Sequence, residues 1–262
     1  MMKTIVVTDI HGCLREFVQL LGECDYDPAS DNVIACGDLV EKGPHSKEVV
    51  EYFMARPSFS CIKGNHEESV IRYWNHERKV ENGSQPNNPM RSSDDRKKVV
   101  DSLEEAHVDY LKSLPLYLTK NIASQRFLFI HGGLFPNKSP ETMDSKLICR
   151  LRYIREKEVL DGYRINLSYR SVQPGTEKSE DKFWADLYGG EHGFAFYGHQ
   201  PSKGSISHWK HACGLDTGAV YGEKLSACVI GEDGQKTFKQ VGGKRYCESP
   251  FLHEKTNIEG AG

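Results

Sequence analysis

The chain has 262 residues and a formal net charge of −3, from 34 basic and 37 acidic residues. This length allows one large or two small domains and a full hydrophobic core, and we expect one domain. The near balance of charge gives no reason to expect DNA or an anionic membrane as the main partner. The first apolar run ends at Asp9, too early for a signal peptide, and no later run approaches transmembrane length. Eight cysteines without a CxxC pair indicate reduced thiols, so we expect a cytoplasmic protein.

The first half of the sequence alternates predicted strands with predicted helices. Apolar runs at residues 4–8, 33–36 and about 59–63 predict strands, and helical segments follow them at 14–21, 46–55 and 66–74. The polar segment from Asn82 to Asp95 predicts a surface loop or lid. Asp101 with Glu104 predicts the capping box of a further helix, which ends before Pro115. This order of elements is typical of βα units.

The second half is dominated by short predicted strands, at residues 116–119, 126–130, 195–197, 206–209, 212–215 and 225–230. Glycine turns between the last four predict an antiparallel part of the sheet. The stretch from about 136 to 182 is polar and has no readable periodicity. We therefore expect an α/β protein with two mixed sheets between helices. It would form a single domain over residues 1–262, with a frayed tail after about residue 251.

Five predicted strands end directly in residues that can bind metals: Asp9 and His11, Asp38, Asn65 and His66, His131, and His199. The carboxyl ends of strands in an open α/β sheet share one edge, so we expect these side chains to meet there. Oxygen and nitrogen ligands without a thiolate suit Mn, Fe, Zn, Co or Mg. A carboxylate can bridge two such ions, and two metals can clamp both reacting oxygens in a phosphoryl displacement. We predict Asp38 as the bridge.

Each of these residues also has a simpler interpretation when it is taken alone. A single Asp or Asn after a strand is more often a turn former, and a single His near a sheet edge is more often a core or surface residue. Turn formation does not favour histidine at three strand ends together with the sequences DIHG and GNHE. We therefore interpret the residues jointly as one metal site. The DTG sequence at Asp216 predicts a structural turn, and we do not include it among the ligands.

The motifs DIHG, GDLVEKG, GNHE, HGG and GH resemble, in this order, the signature of the phosphoprotein phosphatase group of calcineurin-like metallophosphoesterases. The resemblance spans residues 3–230 and implies a β-sandwich of two mixed sheets flanked by α-helices. It implies two divalent metal ions, with manganese the first choice. The ligands of one ion would be Asp9, His11 and Asp38, and those of the other Asp38, Asn65, His131 and His199. It also implies that His66 protonates the leaving oxygen.

Two positions depart from the usual GDxVDRG motif of protein phosphatases. Glu41 replaces the aspartate that orients the catalytic histidine, and its longer side chain can still reach. Lys42 replaces an arginine that holds phosphate in a bidentate fork, whereas lysine is a flexible point charge. GDLVxKGP with this lysine resembles the ApaH-like branch, which includes symmetrical diadenosine tetraphosphate hydrolases. Arg150 and Arg152 in CRLRYI are similar to a segment that supplies a second phosphate clamp, and the sequence does not choose between them.

The function that this resemblance implies is hydrolysis of a phosphoanhydride by a hydroxide that bridges the two metals, with Glu41 and His66 as catalytic residues. The expected substrate is a small nucleotide, such as diadenosine tetraphosphate, or a capped RNA end. An alternative is a protein serine/threonine phosphatase with the same mechanism, acting on a phosphoprotein. A further alternative is a non-catalytic metal-binding scaffold, but all the ligands and the acid are present in the sequence.

Overall fold

A computed structural model describes residues 2–84, 94–161 and 164–248. Thirteen strands lie in this part of the chain: Thr4–Val7 (β1), Asn32–Ala35 (β2), Phe59–Cys61 (β3), Tyr117–Ile122 (β4), Gln125–Ile130 (β5), Tyr153–Asp161 (β6), Arg164–Ser171 (β7), Lys182–Phe183 (β8), Phe194–Tyr197 (β9), Ser207–His208 (β10), Ala212–Gly214 (β11), Lys224–Ile230 (β12) and Lys236–Gly242 (β13). The α-helices of the same residues are Leu14–Glu23 (α1), Ser46–Met54 (α2), Asn65–Glu81 (α3), Asp94–Ser102 (α4), Glu105–Ser113 (α5), Ser145–Ile148 (α6) and Trp184–Leu187 (α7).

The first sheet has the strand order β13-β12-β1-β2-β3. Strands β1, β2 and β3 are parallel, and β12 and β13 extend the sheet in antiparallel pairing. The parallel register sets Val7 opposite Ala35, which in turn pairs with Cys61. The residues that follow these three strands therefore emerge at the same edge of the sheet.

The second sheet has the order β10-β11-β9-β5-β4, in which β5, β9 and β11 are parallel. The expectation of an antiparallel final third was therefore correct for β12 and for the pairing of β10 with β11, but wrong for β9 and β11, which pair in parallel. Both of the latter strands are buried almost throughout, and buried strands carry no alternation that reveals the direction of pairing. His131 and His199 follow two parallel strands of this sheet.

The two sheets pack face to face over an apolar layer that both supply: Val6, Ile34, Cys36, Ile62, Phe127, Phe129, Phe196, Cys213, Leu215, Cys228 and Ile230. The outer face of the first sheet is covered by α1, α2, α3 and α5, and that of the second by α6 and α7. The predicted sandwich of two mixed sheets between helices is therefore confirmed. Close-packed interiors of this kind are rigid. The packing therefore holds the sheet edge after β1, β2 and β3 in a fixed position relative to the edge after β5 and β9.

A third sheet, of order β7-β6-β8, occupies part of the polar stretch that had no readable periodicity. Strands β6 and β7 form an antiparallel hairpin whose described side chains are mostly exposed. The apolar alternation that identifies a half-buried strand is absent for that reason. The sheet was not predicted from the sequence.

Helix boundaries differ from the expectations around the segment between α3 and α5. Helix α3 continues to Glu81 instead of ending near residue 74. The capping box predicted at Asp101 was wrong: α4 runs through that residue, and the backbone N–H of Glu104 instead donates to Nδ1 of His107 at the start of α5. Of the predicted loop at 82–95, residues 85–93 lie outside the described residues, and α4 begins at its end.

The predicted tail after residue 251 also lies outside the described residues, and the single-domain organisation stays a prediction. No helix in the described ranges is long and apolar enough to cross a membrane.

Candidate metal centre and catalytic site

The backbone of the site adopts conformations that most residues avoid. Ten non-glycine residues of the described chain have a positive φ, and six of them are residues predicted at the site: Asp9, His11, Asp38, Glu41, Lys42 and His199. Each such conformation costs on the order of 1–3 kcal/mol and persists only where the surrounding structure enforces it. The strain is therefore concentrated at the strand ends that the sequence singled out.

Hydrogen bonds between three loops fix the carboxylate of Asp9. Its backbone N–H donates to the carbonyl of Gly37 at 3.1 Å, which ties the loop after β1 to the loop after β2. Its carboxylate accepts the hydroxyl of Thr8 and the backbone N–H of His199, the latter at 3.1 and 3.2 Å. The loop after β9, in the second sheet, is thereby joined to the first.

His11 and His131 both turn Nε2 towards the carboxylate of Asp38. Nδ1 of His11 donates to the carbonyl of Val40 at 3.0 Å, and Nδ1 of His131 donates to that of Cys36 at 2.8 Å. A carbonyl only accepts, so these bonds fix the proton on Nδ1 and leave Nε2 to face the site. The two Nε2 atoms lie 3.6 and 3.2 Å from Oδ2 of Asp38. Metal-binding histidines are oriented in this way.

Two groups of potential metal ligands share Asp38: one combines it with His11 and His66, and the other with His131 and His199. Within each group the ligand atoms lie within 4.8 Å of one another. Oδ1 of Asn65 is 3.0 Å from Nε2 of His131 and adds an amide oxygen to the second group. The sharing supports Asp38 as the bridge. The assignment of each ligand to one ion stays a prediction.

Gly64 and Gly198 have no side chain, and the carboxylates of Asp38 and Asp9 occupy the space that a side chain there would fill. A Cβ on Gly64 would lie 2.2 Å from Oδ1 of Asp38, and one on Gly198 would lie 1.9 Å from Oδ2 of Asp9. Neither carboxylate could keep its place beside a larger residue. With oxygen and nitrogen donors and this cradle, the described residues fit divalent metal ions of the kind that their chemistry predicts.

The charges of the site residues depend on burial and on mutual contact. Burial raises the pKa of Asp9 to about 6. Burial also opposes ionisation of Asp38, but the neighbouring histidines outweigh it and hold the pKa of Asp38 well below its usual value. Burial lowers the pKa of His11 and His199. It acts on His131 too, but Asp38 raises the pKa of that histidine to about 9. A cation bound at Nε2 of His131 would compete with that proton.

His66 forms a second constellation with Glu41. Nδ1 of His66 lies 2.5 Å from Oε2 of Glu41, so its Nε2 faces the pocket, 3.8 Å from Oδ2 of Asp38. Arg96 of α4 donates from Nε to Oε1 of Glu41 at 2.5 Å and from Nη2 to Oε2 at 3.3 Å. Burial alone would raise the pKa of Glu41, but His66 and then Arg96 lower it below its usual value. The catalytic roles of His66 and Glu41 stay predictions.

Glu67 organises the loop that carries Asp38. Its side chain is fully buried, and it accepts the backbone N–H groups of Asp38 at 2.8 Å, Leu39 at 2.7 Å, Val40 at 3.3 Å and Gly64 at 2.8 Å. Burial, followed by the charge of Asp38, raises the pKa of Glu67. No role was predicted for Glu67 from the sequence, although its place beside His66 in GNHE was a usable signal.

Lys42 lies inside the same site. Its Nζ is 2.8 Å from Nε2 of His11 and 5.2 Å from the ring centre of Tyr221. Burial would lower the pKa of Lys42, but Tyr221 and the carboxylates of Asp38 and Asp216 raise it. Asp216 lines the pocket as well, and burial raises its pKa well above the usual value. The DTG turn thus brings a third aspartate to the pocket, although its sequence predicts only a structural turn.

The two candidate phosphate-binding arginines have different surroundings. Nη1 of Arg150 pairs with the carboxylate of Glu68, and Nη2 lies 3.4 Å from the carbonyl of Asn65. Arg152 lines the pocket, and its Nη2 donates to the carbonyl of His199 at 3.0 Å. Nε of Arg152 is buried without a partner among the described residues, as is Oε1 of Gln200, which lines the same pocket. Phosphate binding by either arginine stays a prediction.

Comparison with known proteins finds relatives that align over nearly the whole chain. A bis(5′-nucleosyl)-tetraphosphatase named symmetrical, from Pectobacterium atrosepticum, is 27% identical over 99% of this chain and 99% of its own length. One named PrpE and asymmetrical, from Oceanobacillus iheyensis, is 26% identical over 97% of this chain and 96% of its own. The matches to three further symmetrical relatives cover only 44–46% of those proteins, so the chain spans about half the length of these curated relatives.

Among solved structures, a crystal structure of a candidate diadenosine tetraphosphatase superposes with a TM-score of 0.71. It is 24% identical and covers 92% of this chain and 94% of the other, and this likeness shows the shared fold. The sequence profile described as calcineurin-like phosphoesterase matches residues 2–228, which include every predicted site residue. The chain therefore belongs to the calcineurin-like phosphoesterase family.

Proposed function

We propose that this chain is a two-metal phosphohydrolase that cleaves phosphoanhydride bonds of dinucleoside polyphosphates such as diadenosine tetraphosphate. The observation that carries the proposal is one pocket of about 230 Å³, whose lining includes Asp9, Asp38, His199, His66, Lys42 and Arg152. Potential metal ligands, a proton donor and two cations thus face one small space. The names of the relatives that align over nearly the whole chain support the choice of substrate.

Two divalent ions would share Asp38, with Asp9 and His11 completing the ligands of one ion. Asn65, His131 and His199 would complete those of the other, which leaves His66 free for proton transfer. We propose manganese, with Fe, Zn, Co and Mg as alternatives that suit the same donors. When bound, the ions supply an activated water and stabilise negative charge on the phosphoryl oxygens.

His66 would supply the proton that the departing oxygen needs. Its Nδ1 is bound to Glu41, so Nε2 is the nitrogen that faces the pocket. An ionised Glu41 stabilises the imidazolium and fixes the ring in one orientation. Because Nε2 is 3.8 Å from Asp38, the acid lies beside the predicted bridge, where a leaving oxygen would emerge.

Lys42 and Arg152 would hold the phosphate chain. Nζ of Lys42 lies 2.8 Å from Nε2 of His11, so the ammonium and a metal ion cannot both contact that nitrogen. With that nitrogen occupied by a ligated ion, the ammonium of Lys42, which lines the same pocket, would be available to substrate oxygens. Arg152 has a buried Nε without a protein partner among the described residues, whereas Arg150 is paired with Glu68. We therefore propose Arg152, rather than Arg150, as the phosphate-binding arginine.

A second cleft supports a substrate longer than a phosphomonoester. It has a volume of about 290 Å³ and is lined by Lys42, Lys47, Lys98, Val99 and Tyr246, among others. Lys42 borders both this cleft and the metal pocket. Three lysines beside an aromatic ring suit distal phosphates and a nucleoside. A capped RNA end shares that chemistry and is the second substrate to test, and a phosphoprotein is the third.

We further propose a cytoplasmic location. All eight cysteines are free thiols, and seven of them are buried. Proteins of oxidising compartments commonly pair their cysteines, whereas reducing compartments preserve thiols.

The test is turnover by metal-stripped protein resupplied with Mn²⁺ on three substrates: diadenosine tetraphosphate, a capped RNA oligomer and a phosphoserine peptide, with products identified by mass. We expect preference for diadenosine tetraphosphate. Two diphosphates as products would indicate symmetrical cleavage, and a triphosphate with a monophosphate would indicate asymmetrical cleavage. Preference for the peptide would contradict the proposal.

Lys98→Gln tests the second cleft. Loss of one exposed lysine contact should raise KM for diadenosine tetraphosphate by about threefold, because a solvated ion pair contributes up to about 1 kcal/mol. Turnover of 4-nitrophenyl phosphate, which is too short to reach the cleft, should not change. Lys97→Gln is the matched control, since this neighbour removes the same charge outside the cleft. Equal KM values for all three proteins would exclude Lys98 from substrate binding.

A further inference from the structure

Arg96 lies outside every motif of the site and yet contacts its acid–base pair. It belongs to α4, 55 residues after Glu41, and its side chain is only 17% exposed. Nε and Nη2 of the guanidinium donate to the two oxygens of Glu41, at 2.5 and 3.3 Å. A carboxylate held by two guanidinium nitrogens is fixed in its plane as well as in position.

Glu41 also contacts His66, and this contact explains why a fixed carboxylate matters. Oε2 of Glu41, the oxygen that accepts from Nη2 of Arg96, is also 2.5 Å from Nδ1 of His66. Glutamate has one more rotatable bond than aspartate, so a single bond to His66 would leave its carboxylate more freedom. Arg96 removes that freedom, because it holds Oε1 of Glu41 as well as the oxygen that His66 contacts.

We propose that Arg96 is a positioning residue of the reaction: acting through Glu41, it sets the orientation in which His66 delivers its proton. This inference rests on the proposed phosphohydrolase function. It assigns to α4 a part in catalysis, although Arg96 itself does not contact the reacting atoms. A displacement of about 1 Å in a reacting group can cost up to about 100-fold in rate, so the expected effect is measurable.

Arg96→Gln and Arg96→Lys test the proposal on aryl phosphates with different leaving groups. Dinitrophenolate departs without a proton, whereas phenolate needs one, so only the slower ester depends on His66. We expect Arg96→Gln to lower kcat/KM about tenfold on phenyl phosphate but less than threefold on 2,4-dinitrophenyl phosphate, and Arg96→Lys to fall between it and wild type. Lys97→Gln, on the same helix, should match wild type on both.

A double-mutant cycle separates positioning from general destabilisation. If Arg96 acts through Glu41, Arg96→Gln should have no further effect on phenyl phosphate in a Glu41→Gln background. An equal loss on both esters, or an equal loss with and without Glu41, would overturn the proposal.

A proton spectrum of the magnesium-loaded protein provides a readout that does not require turnover. The hydrogen-bonded Nδ1 proton of His66, identified by its loss in His66→Asn, should be sharp in wild type and in Lys97→Gln. It should broaden in Arg96→Gln because Glu41 then samples several orientations. An unchanged sharp resonance would contradict the role of Arg96. If wild type hydrolyses no phosphate ester or anhydride, the proposed function fails, and this spectrum still decides the placement of His66.

Discussion

Replacing Glu67 by glutamine should weaken both the fold and the metal site, although the side chain keeps its size. The carboxylate accepts four backbone N–H groups, with Asp38 and Gly64 bonded to Oε2 and Leu39 and Val40 bonded to Oε1. Glutamine has one acceptor oxygen, so its NH₂ group must face one of these pairs of donors. Two buried donors then lose their acceptor.

The size of the effect follows from that count. A buried donor without a partner costs about 1–3 kcal/mol, so the free energy of unfolding of the metal-free protein should fall by about 2–6 kcal/mol. The loop carrying Asp38 would also shift, and loss of a group that supports a metal ligand costs about 10–100-fold in metal affinity.

Urea unfolding of the metal-free protein and calorimetric titration with Mn²⁺ measure the two quantities. Glu68→Gln is the matched control, because the neighbouring side chain is 24% exposed and pairs with Arg150 rather than with the backbone. The control should lose no more than about 1 kcal/mol. If Glu67→Gln matches the control in both unfolding and Mn²⁺ affinity, the carboxylate does not organise the Asp38 loop.

Three further predictions concern the acid, the lysine of the phosphate site and the small third sheet. His66→Asn should bind Mn²⁺ as wild type does but lose about 100-fold or more in turnover on a substrate with a poor leaving group, and equal turnover would remove His66 from the mechanism. Lys42→Arg should raise activity on phosphomonoesters relative to anhydrides, because a guanidinium fork holds a terminal phosphate, and an unchanged ratio would refute this explanation. A hydrogen bond to Arg155 lowers the pKa of Asp181 to about 2. The folded pKa thus lies below the unfolded one, so this contribution to stability is complete above about pH 4 and is lost as the pH falls towards 2. Between pH 5 and pH 2, the free energy of unfolding should therefore fall less for Asp181→Asn than for wild type.

The meeting of the predicted ligands at one edge could be predicted from the sequence, because each of them lies just after the end of a strand. Asp9, Asp38 and Asn65 each follow a short buried strand, and parallel pairing brings such residues to one edge whatever the details of packing. His131 and His199 follow strands of the second sheet. The apolar residues of these strands form the face that packs against the first sheet, and they can be recognised in the sequence in the same way. Local pattern and global fold agree at these positions.

Residues that depend on the packing of distant elements were not predicted. Arg96 reaches Glu41 from α4, and nothing in its own segment distinguishes it from Lys97 or Lys98. Asp216 follows a buried strand like the ligands do, but its DTG sequence also fits an ordinary turn. For Arg150 and Arg152, the sequence fixes their spacing, whereas the pairing of Arg150 with Glu68 depends on where α3 lies.

The proposed centre is a pair of metal ions that share Asp38, and titration of metal-stripped protein with Mn²⁺ decides whether both ions bind there. Bound Mn²⁺ and turnover of the preferred substrate are followed in the same samples, for wild type and for Asp38→Asn. We expect two Mn²⁺ per chain in wild type, with turnover rising only as the second ion binds, and weaker binding of both ions in Asp38→Asn. Full turnover with one Mn²⁺ per chain, or loss of a single ion in Asp38→Asn with the other unaffected, would contradict the shared site.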